Sequence, residues 1–314
     1  MTRALIVASV LVGAVTAVAV ADPAPHRNDV VEHSSVALEP AGRAFKVVSI
    51  ENPLGDVRVE GYDGNAIVIE ATKHAPDYDA LSRLRVSLVP PNADGIVRIN
   101  TTANPLRENR PVPRGAVRID LVIRTPRDAR IDAAVTSGKL EVKDMDAGGE
   151  LDSASGVITA RNIQGTLLTH SVSGDTSLAL VFGSIDAQTM SSNVDLDTIN
   201  GEHLVASAHH GKIEGRRVRA RDIELTTTDG KIRLEGEVSL HGRVSVSSLS
   251  GDIDVRLHRV GPVLIRGRGT KVNLGARAMQ QPNGWVQLAD GVGDQPAIVE
   301  MMTPLAKIDF AFLQ

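Results

Sequence analysis

Apolar and polar residues alternate along most of the chain from Phe45 onward. The alternating segments are short and rich in valine and isoleucine, with glycine, aspartate, asparagine or proline between them. Period-two alternation bounded by such residues is typical of β-strands. A helical period is visible only over the short stretch from Asp77 to Leu84. The pattern therefore predicts an all-β protein.

A repeat begins at Thr136 and is marked by pairs of small or polar residues. The second members of successive pairs recur at intervals of about 18 to 21 residues, and the intervals lengthen toward the C-terminal repeats. The pairs are Ser137-Gly138, Ser155-Gly156, Ser173-Gly174, Ser191-Ser192, His210-Gly211, Asp229-Gly230 and Ser250-Gly251. So regular a period is typical of a solenoid, in which each repeat forms one coil.

Aligning the repeats on these pairs produces three apolar columns. Their members are Leu140, Ile158, Val194, Ile213, Ile232 and Ile253; Val142, Ala160, Leu178, Leu196, Leu234 and Val255; and Met145, Ile163, Val181, Ile199, Val218 and Val238. Stacked coils enclose such columns when each strand pairs in parallel with its equivalents above and below. The sequence therefore predicts a right-handed, single-stranded parallel β-helix (β-solenoid) with coils of about 18 to 21 residues.

The corners between strands carry recurring glycine and serine. A tight turn commonly needs a positive φ, which glycine adopts at no steric cost. Ser192 replaces glycine in one coil, where we expect Asn193 to take the left-handed conformation. The serines of the pairs are expected to form a structural ladder, because no G-x-S-x-G elbow marks any of them as a nucleophile.

The two ends differ from the repeats in composition. Segment 1–21 has a basic residue, a predominantly apolar run without charged residues and an A-x-A site, which predicts a signal peptide cleaved before Asp22. No later segment is long enough to cross a bilayer, so we expect an exported protein of the periplasm, the cell surface or the medium. The predicted segments are signal peptide 1–21, flexible leader 22–44, N-terminal β-strand region of the solenoid 45–135, regular repeats 136–259, and C-terminal strands and cap 260–314.

Composition excludes several kinds of site. The 314 residues include no cysteine, which excludes disulfides, thiolate metal ligands and a cysteine nucleophile. The net charge of −4 argues against a dedicated nucleic-acid binder. Aromatic residues make up only 2% of the chain, so the flat faces that bind carbohydrate are scarce. No cofactor is predicted.

Three parts of the chain resemble the bacterial β-strand-repeat putative adhesin family. They are the stretch from Ser49 to Ala75, the strand-rich stretch from Val117 to Val142, and the repeated corners with the alternating apolar residues that follow them. The resemblance extends from Val36 to Gln314. It implies an exported or membrane-attached β-solenoid of unknown function. The family name suggests adhesion, and the family supplies no catalytic residues to carry over.

An alternative function is that of a polysaccharide-active enzyme, a lyase or hydrolase, on a β-helix. Corner aspartates are the candidate acid–base pairs or calcium ligands, namely Asp175, Asp195, Asp197, Asp252 and Asp254. We interpret them as solvated turn residues, because only Trp285, Tyr62 and Tyr78 offer aromatic faces and the short coils leave no long loop to build a cleft. The sequence therefore predicts a non-enzymatic protein, with no catalytic, cofactor-binding or metal-ligating residue assigned.

Histidines are the remaining candidates for metal ligands. His209 and His210 are adjacent and are expected to point to opposite faces of a strand, which keeps them from sharing one ion. His170, two coils earlier, leaves a surface metal site open as an alternative. His203 falls in an apolar column, where it is either a hydrogen-bonded core residue or a sign that the register shifts and Leu204 points inward.

Formal charge changes sign along the repeats. Residues 136–209 carry three basic and ten acidic side chains, a charge of −7, whereas residues 210–271 carry thirteen basic and eight acidic, a charge of +5. In the basic half, Arg217, Arg219 and Arg221 alternate with apolar residues and are expected to share one outer face. That face is either a solvated surface that keeps the protein soluble or a contact site for a cell-envelope polymer or surface protein. The leading hypothesis is an exported, non-enzymatic binding or structural module of the cell envelope.

Overall fold

Strands dominate the structure and confirm the all-β prediction. The computed structural model describes residues 30–40, 44–103, 117–291, 293 and 295–313, so the predicted signal peptide 1–21 and residues 22–29 and 41–43 of the leader lie outside the described residues. Within the described ranges, 22 strands form one hydrogen-bonded sheet. They are β1 (Val30–Leu38), β2 (Val47–Asn52), β3 (Val57–Tyr62), β4 (Ile67–Ala75), β5 (Leu84–Val89), β6 (Ile96–Ala103), β7 (Arg118–Pro126), β8 (Arg130–Val135), β9 (Lys139–Met145), β10 (Gly149–Ser153), β11 (Val157–Gln164), β12 (Leu167–Ser171), β13 (Thr176–Phe182), β14 (Ile185–Thr189), β15 (Val194–Ala208), β16 (Ile213–Thr227), β17 (Ile232–Ser248), β18 (Ile253–Arg259), β19 (Val263–Asn273), β20 (Met279–Gln280), β21 (Val286–Asp290) and β22 (Ala297–Phe312).

A short helix, α1 (Tyr78–Ser82), lies where the sequence shows its brief helical period. The carboxylate of Asp77 caps it by accepting a hydrogen bond from the Ala80 N–H at 2.7 Å, and Leu81 is buried. Among the described residues no helix has the length and apolar character needed to span a bilayer.

The repeats form two stacks of parallel strands. Ladder A contains β8, β10, β12, β14 and the C-terminal halves of β15, β16 and β17; ladder B contains β9, β11, β13, the N-terminal halves of β15, β16 and β17, and β18. In ladder B, Ile158 lies opposite Leu140 on one side and Thr176 on the other, one repeat period away in each direction. Each repeat therefore contributes one strand to each ladder.

The apolar columns line the space between the ladders. The first two columns are paired in register as predicted, from Leu140 and Val142 through to Ile253 and Val255. The predicted third column is wrong at its last member, Val238. The register between β16 and β17 shifts, so Val218 pairs with Gly236. Val238 pairs with Ala220 instead and remains buried. Between Leu234 and Gly236, β17 has one residue fewer than β16 has between Gly215 and Val218, so the pairing is displaced while the core stays buried.

Close stacking, and not a positive φ, explains most corner glycines. Gly138 has a φ of +98°, but the five later glycines of the pairs do not adopt positive φ. A Cβ built on Gly230 would lie 1.6 Å from the Gly211 carbonyl oxygen, and one on Gly174 would lie 1.9 Å from the Gly156 oxygen. Each glycine is thus required because the backbone of the preceding coil occupies the place of its side chain.

The coil without the corner glycine also differs from its prediction. Asn193 is not among the residues with positive φ, so the left-handed conformation expected there is wrong. The Ser192 side chain is buried and donates a hydrogen bond to the Gly174 carbonyl oxygen at 2.8 Å. A hydrogen-bonded serine therefore takes the place of the glycine in the stack.

Hydroxyl groups inside the corner hold its backbone. Ser153 accepts from the Gly156 N–H at 2.7 Å and donates to the Gly156 carbonyl at 2.8 Å. Ser171, Thr227 and Ser248 accept in the same way from the glycine three residues later. Outside the corner, Ser155 donates to the Thr136 carbonyl of the preceding coil, which confirms that the paired serines form a structural ladder. The corner motif is therefore S/T-x-x-G, with the first position buried.

Non-glycine residues with positive φ recur once per coil in ladder B. The φ values lie between 52° and 60° at Asp144, Asn162, Leu180, Thr198 and Arg217. His241, with a φ of 57°, lies on β17 in the register shift that follows Val238 and is not part of this series. L-residues pay a steric cost in this region. The residues on either side of each such position remain paired with the neighbouring coil. On either side of Arg217, for example, Arg216 pairs with Asp197 and Val218 pairs with Ile199. The ladder therefore bends at the same place in successive coils.

The chain order is interrupted at both ends of the stack. At one end, β2 lies between β6 and β8, and β3 lies between β7 and β9. At the other end, β22 pairs with β17 and β18 on one side and with β19 on the other. Antiparallel strands flank these insertions, including β1, which pairs with β4 and extends the folded chain into the predicted leader. A strand from each terminal region is thus enclosed between other strands.

Removing one buried hydroxyl should stabilise the protein. Thr176 is 1% exposed between Ile158 and Val194, and its hydroxyl makes no hydrogen bond to any described residue. Burying an unpaired hydroxyl costs roughly 1–3 kcal/mol. We expect Thr176→Val to raise the free energy of unfolding by about 1 kcal/mol, measured by thermal or urea denaturation. The control Thr159→Val, at a half-buried outward position, should change little; a destabilised Thr176→Val protein would contradict the prediction.

Candidate functional site

The three candidate arginines lie on β16, where it passes from ladder B to ladder A. Arg217, Arg219 and Arg221 are exposed, and Val218 and Ala220 between them are buried. The alternation predicted from the sequence is therefore present. The three side chains nevertheless have different surroundings, because the strand bends at Arg217 and its pairing with β17 shifts register after Ala220.

Acidic residues of neighbouring coils hold two of these arginines. The Arg217 guanidinium forms an ion pair with Asp197, and its Nε donates to the Thr198 hydroxyl at 2.9 Å. Arg219 Nε lies 3.2 Å from a carboxylate oxygen of Glu237. A guanidinium has five N–H donors, so each arginine retains donors that these contacts do not use. Both side chains line a shallow groove of about 220 Å³.

The neighbouring Arg216 is engaged in the same manner. Its Nη2 lies 3.2 Å from Asp195, and the hydrogen bond to this carboxylate raises the pKa of Arg216 above its usual value. The acidic residues that pair with Arg216 and Arg217 belong to the preceding coil. Two of the arginines in the basic half are therefore neutralised by Asp195 and Asp197, which belong to the last coil of the acidic half.

Arg221 lines a different groove, together with Arg243. The groove has a volume of about 550 Å³ and includes His203, Asp222 and His241. Neither Arg221 nor Arg243 forms an ion pair with a described residue, although Asp222 is the register partner of Arg243. These two exposed guanidinium groups offer an anion a full set of donors. The pairing of successive coils, which the sequence alone does not fix, brings them together.

The structure contradicts the core position considered for His203 and the opposite orientations expected for His209 and His210. His203 is exposed with its Nδ1 3.3 Å from Asp222, and Leu204 is fully buried and pairs with Ile185. The register-shift alternative is confirmed and the core-histidine alternative is wrong. His209 and His210 are both exposed, with ring centroids 4.9 Å apart, because β15 ends at Ala208 and the strand alternation stops before them.

The corner aspartates are tied to neighbouring residues. Asp175 accepts a hydrogen bond from the Asn193 N–H at 2.9 Å, and Asp254 lies 3.2 Å from Arg233. Asp195 and Asp197 pair with arginines as described above, and Asp252 accepts from the Lys307 N–H at 3.3 Å. These contacts link coil to coil and support the interpretation of the aspartates as structural residues.

A family match covers the central part of the chain. Residues 120–263 match the Toastrack DUF4097 family, which is a domain of unknown function. The matched segment includes β8 to β18 and therefore the whole of the regular repeats. This part of the chain is a Toastrack domain, a β-solenoid-like all-β domain, and the family resemblance noted in the sequence is confirmed.

Several solved structures are similar to this chain at low sequence identity. A putative cell adhesion protein from Clostridium sporogenes ATCC 15579 is 12% identical, with a TM-score of 0.28, 90% of this chain covered and 100% of that one. A putative lipid binding protein from Parabacteroides distasonis ATCC 8503 is 12% identical, with a TM-score of 0.47 and coverage of 89% and 96%. A putative adhesin from Bacteroides fragilis NCTC 9343 is 12% identical, with a TM-score of 0.40 and coverage of 90% and 97%. No curated protein matches the chain.

Proposed function

We propose that this protein is an exported, non-enzymatic binding module of the bacterial cell envelope. It acts in the periplasm, at the cell surface or in the medium, and it contacts an anionic envelope polymer or surface protein through the basic half of its repeats. The observation that carries this proposal is the change from −7 over residues 136–209 to +5 over residues 210–271, with Arg221 and Arg243 exposed and free of ion pairs within the described chain.

The proposed fold suits this role. Successive coils, each about 18 to 21 residues long and winding as a right-handed parallel β-helix, make a rigid rod with flat outer strands. Outward residues of neighbouring coils stand one strand spacing apart, roughly 4.8 Å, so charges repeat along the rod at short intervals. A polymer with regularly spaced anionic groups can contact several coils at once, and weak contacts then add up.

Arg217, Arg219 and Arg221 are the proposed centre of the contact surface. Replacing all three with serine should weaken binding to dextran sulfate, a defined anionic polymer, at least about fivefold at low salt, because each change removes an outward cation. Wild-type binding should fall steeply as salt rises, since the Debye length shortens to about 8 Å at physiological ionic strength. Uncharged dextran should not bind. Titrations at two salt concentrations measure both effects.

A matched control exists in the acidic half. Lys139, Lys143 and Arg161 are its only basic residues, and changing them to serine removes the same total charge from the rod. This control should bind dextran sulfate as the wild type does. Equal weakening in both triple variants would show that net charge alone determines binding, and absence of wild-type binding at low salt would refute the proposed surface.

A further inference from the structure

We propose that Glu150, Asp152 and His170 form a binding site for a divalent transition-metal ion of the zinc type. The site lies on the outer face of ladder A in the acidic half of the repeats, away from the arginines of the proposed contact surface. One ligand atom from each of the three side chains lies within 4.8 Å of the other two, and all three residues are half-buried.

Strand geometry sets the three side chains on one face. Glu150 and Asp152 are two residues apart on β10, so both point outward on the same side. His170 on β12 is the register partner of Asp152, one strand spacing away. The backbone of both strands is held by parallel neighbours on either side, which fixes the positions from which the ligands project.

The distances suit a small cation with mixed ligands. His170 Nδ1 and Asp152 Oδ1 are 3.3 Å apart. Two ligands that are each about 2.0–2.1 Å from a tetrahedral zinc ion stand roughly 3.3–3.4 Å from one another. An imidazole nitrogen with two carboxylates favours zinc and related transition metals over calcium, which prefers oxygen ligands throughout.

The surrounding charge also favours a cation. The three basic residues of the acidic half are all on β9 and β11 of ladder B, whereas β10, β12 and β14 of ladder A carry Glu150, Asp152 and Asp186 and no lysine or arginine. Arg130 on β8 approaches Glu150 to 3.6 Å but pairs more closely with Asp132, at 2.8 Å. Asp152 and His170 border a groove of about 690 Å³, which gives the remaining coordination positions access to water or a ligand.

The structure provides a matched control in the basic half. His203 and Asp222 are also 3.3 Å apart on neighbouring strands, with similar exposure, but Arg221 and Arg243 line the same groove. Positive charge beside this pair should prevent it from holding a divalent cation. Glu224 also lines this groove, but it does not complete a group of three ligand atoms within 4.8 Å among the described residues. The two histidine–aspartate pairs therefore differ in the third ligand and in the arginines beside them.

The test is titration of the purified protein with Zn²⁺ by calorimetry, and with Co²⁺ by visible absorption. We expect one equivalent to bind, with a Co²⁺ spectrum typical of low coordination number, and we expect His170→Ala and Asp152→Asn each to lower the affinity at least about tenfold. His203→Ala should bind as the wild type does, and Ca²⁺ should not compete. Thermal melting checks that each variant is folded. The His170 and Asp152 side chains both lie on the surface, so neither substitution should disturb the core, and the two variants test the site independently.

Several results would overturn the site. These are no Zn²⁺ binding by the wild type, binding that survives both His170→Ala and Asp152→Asn, loss of binding in His203→Ala, or Ca²⁺ competing at equal concentration. None of these outcomes depends on dextran sulfate, so failure of the metal site leaves the proposed contact surface standing, and the reverse also holds.

Discussion

Replacing Ile199 by aspartate is expected to abolish folding of the repeats. Ile199 is 1% exposed and lies in the third column between Val181 and Val218. A carboxylate at this position would be buried without a partner, at a cost of several kcal/mol. A domain has only about 5–15 kcal/mol of stability in total. Because each coil contacts only its neighbours, a coil that cannot pack also removes the support of the coils on either side.

Circular dichroism and thermal melting of Ile199→Asp test this expectation. Ile163→Asp, between Met145 and Val181, should behave in the same way. The matched control is Asn200→Asp, which adds the same charge at the next residue, where the side chain is exposed. The control should melt like the wild type. An Ile199→Asp protein with native strand content and an unchanged melting temperature would contradict the assignment of the column to the core.

Changing Gly230 to alanine is expected to destabilise the protein by roughly 3 kcal/mol or more, which exceeds the usual cost of one extra methyl group. The added Cβ would meet the carbonyl oxygen and carbon of Gly211 at 1.6 and 2.4 Å. These are backbone atoms of the preceding coil, held in the corner by the hydrogen bond that Thr227 donates to the Gly211 carbonyl. Relief of the clash therefore requires separating two coils.

Gly215→Ala is the control for Gly230→Ala. A Cβ at Gly215 would lie 3.1 Å from side-chain carbons of Leu234 and Val218, which can adjust, and the Arg233 carbonyl oxygen is at an ordinary contact distance of 3.9 Å. We expect a cost of about 1 kcal/mol or less at Gly215. Urea denaturation of the two variants gives both free energies. Similar losses of unfolding free energy in the two variants would show that stacking against the preceding coil is not the reason for glycine at position 230.

The repeat period is sufficient to predict the core but not the details of register. Leu140, Ile158 and Ile253 fall in one column because the corner pairs recur at nearly constant spacing. The period misplaces Val238 because β17 has one residue fewer between Leu234 and Gly236 than β16 has between Gly215 and Val218, which shifts the pairing of the two strands. The inserted strands at the two ends have no counterpart in the repeat, so periodicity holds no information on their order.

The sites depend on contacts between coils, which explains why they are harder to predict. Strand alternation gives the exposure of Arg219, but its ion pair with Glu237 depends on the register of the next coil. Asp152 and His170 are separated in the sequence by one coil period, so the spacing that defines the columns also places them side by side. The need for glycine at Gly230 follows from its position in the repeat, but its cause, a neighbouring carbonyl, is visible only in three dimensions.

The enclosure of β22 between β18 and β19 restricts the order in which the sheet can be completed. A chain that leaves a ribosome or a translocation channel with its N-terminus first presents β17, β18 and β19 before β22 exists. Until Ala297–Phe312 arrives, β19 has to remain apart from β17 and β18, and two rows of backbone donors and acceptors stay unpaired. Completion of the sheet therefore has to wait until residues 297–312 have been synthesised and can pair. Once β22 is paired, it can dissociate only when hydrogen bonds break along both of its edges. This double pairing makes the β22 end of the stack resistant to fraying and to pulling forces.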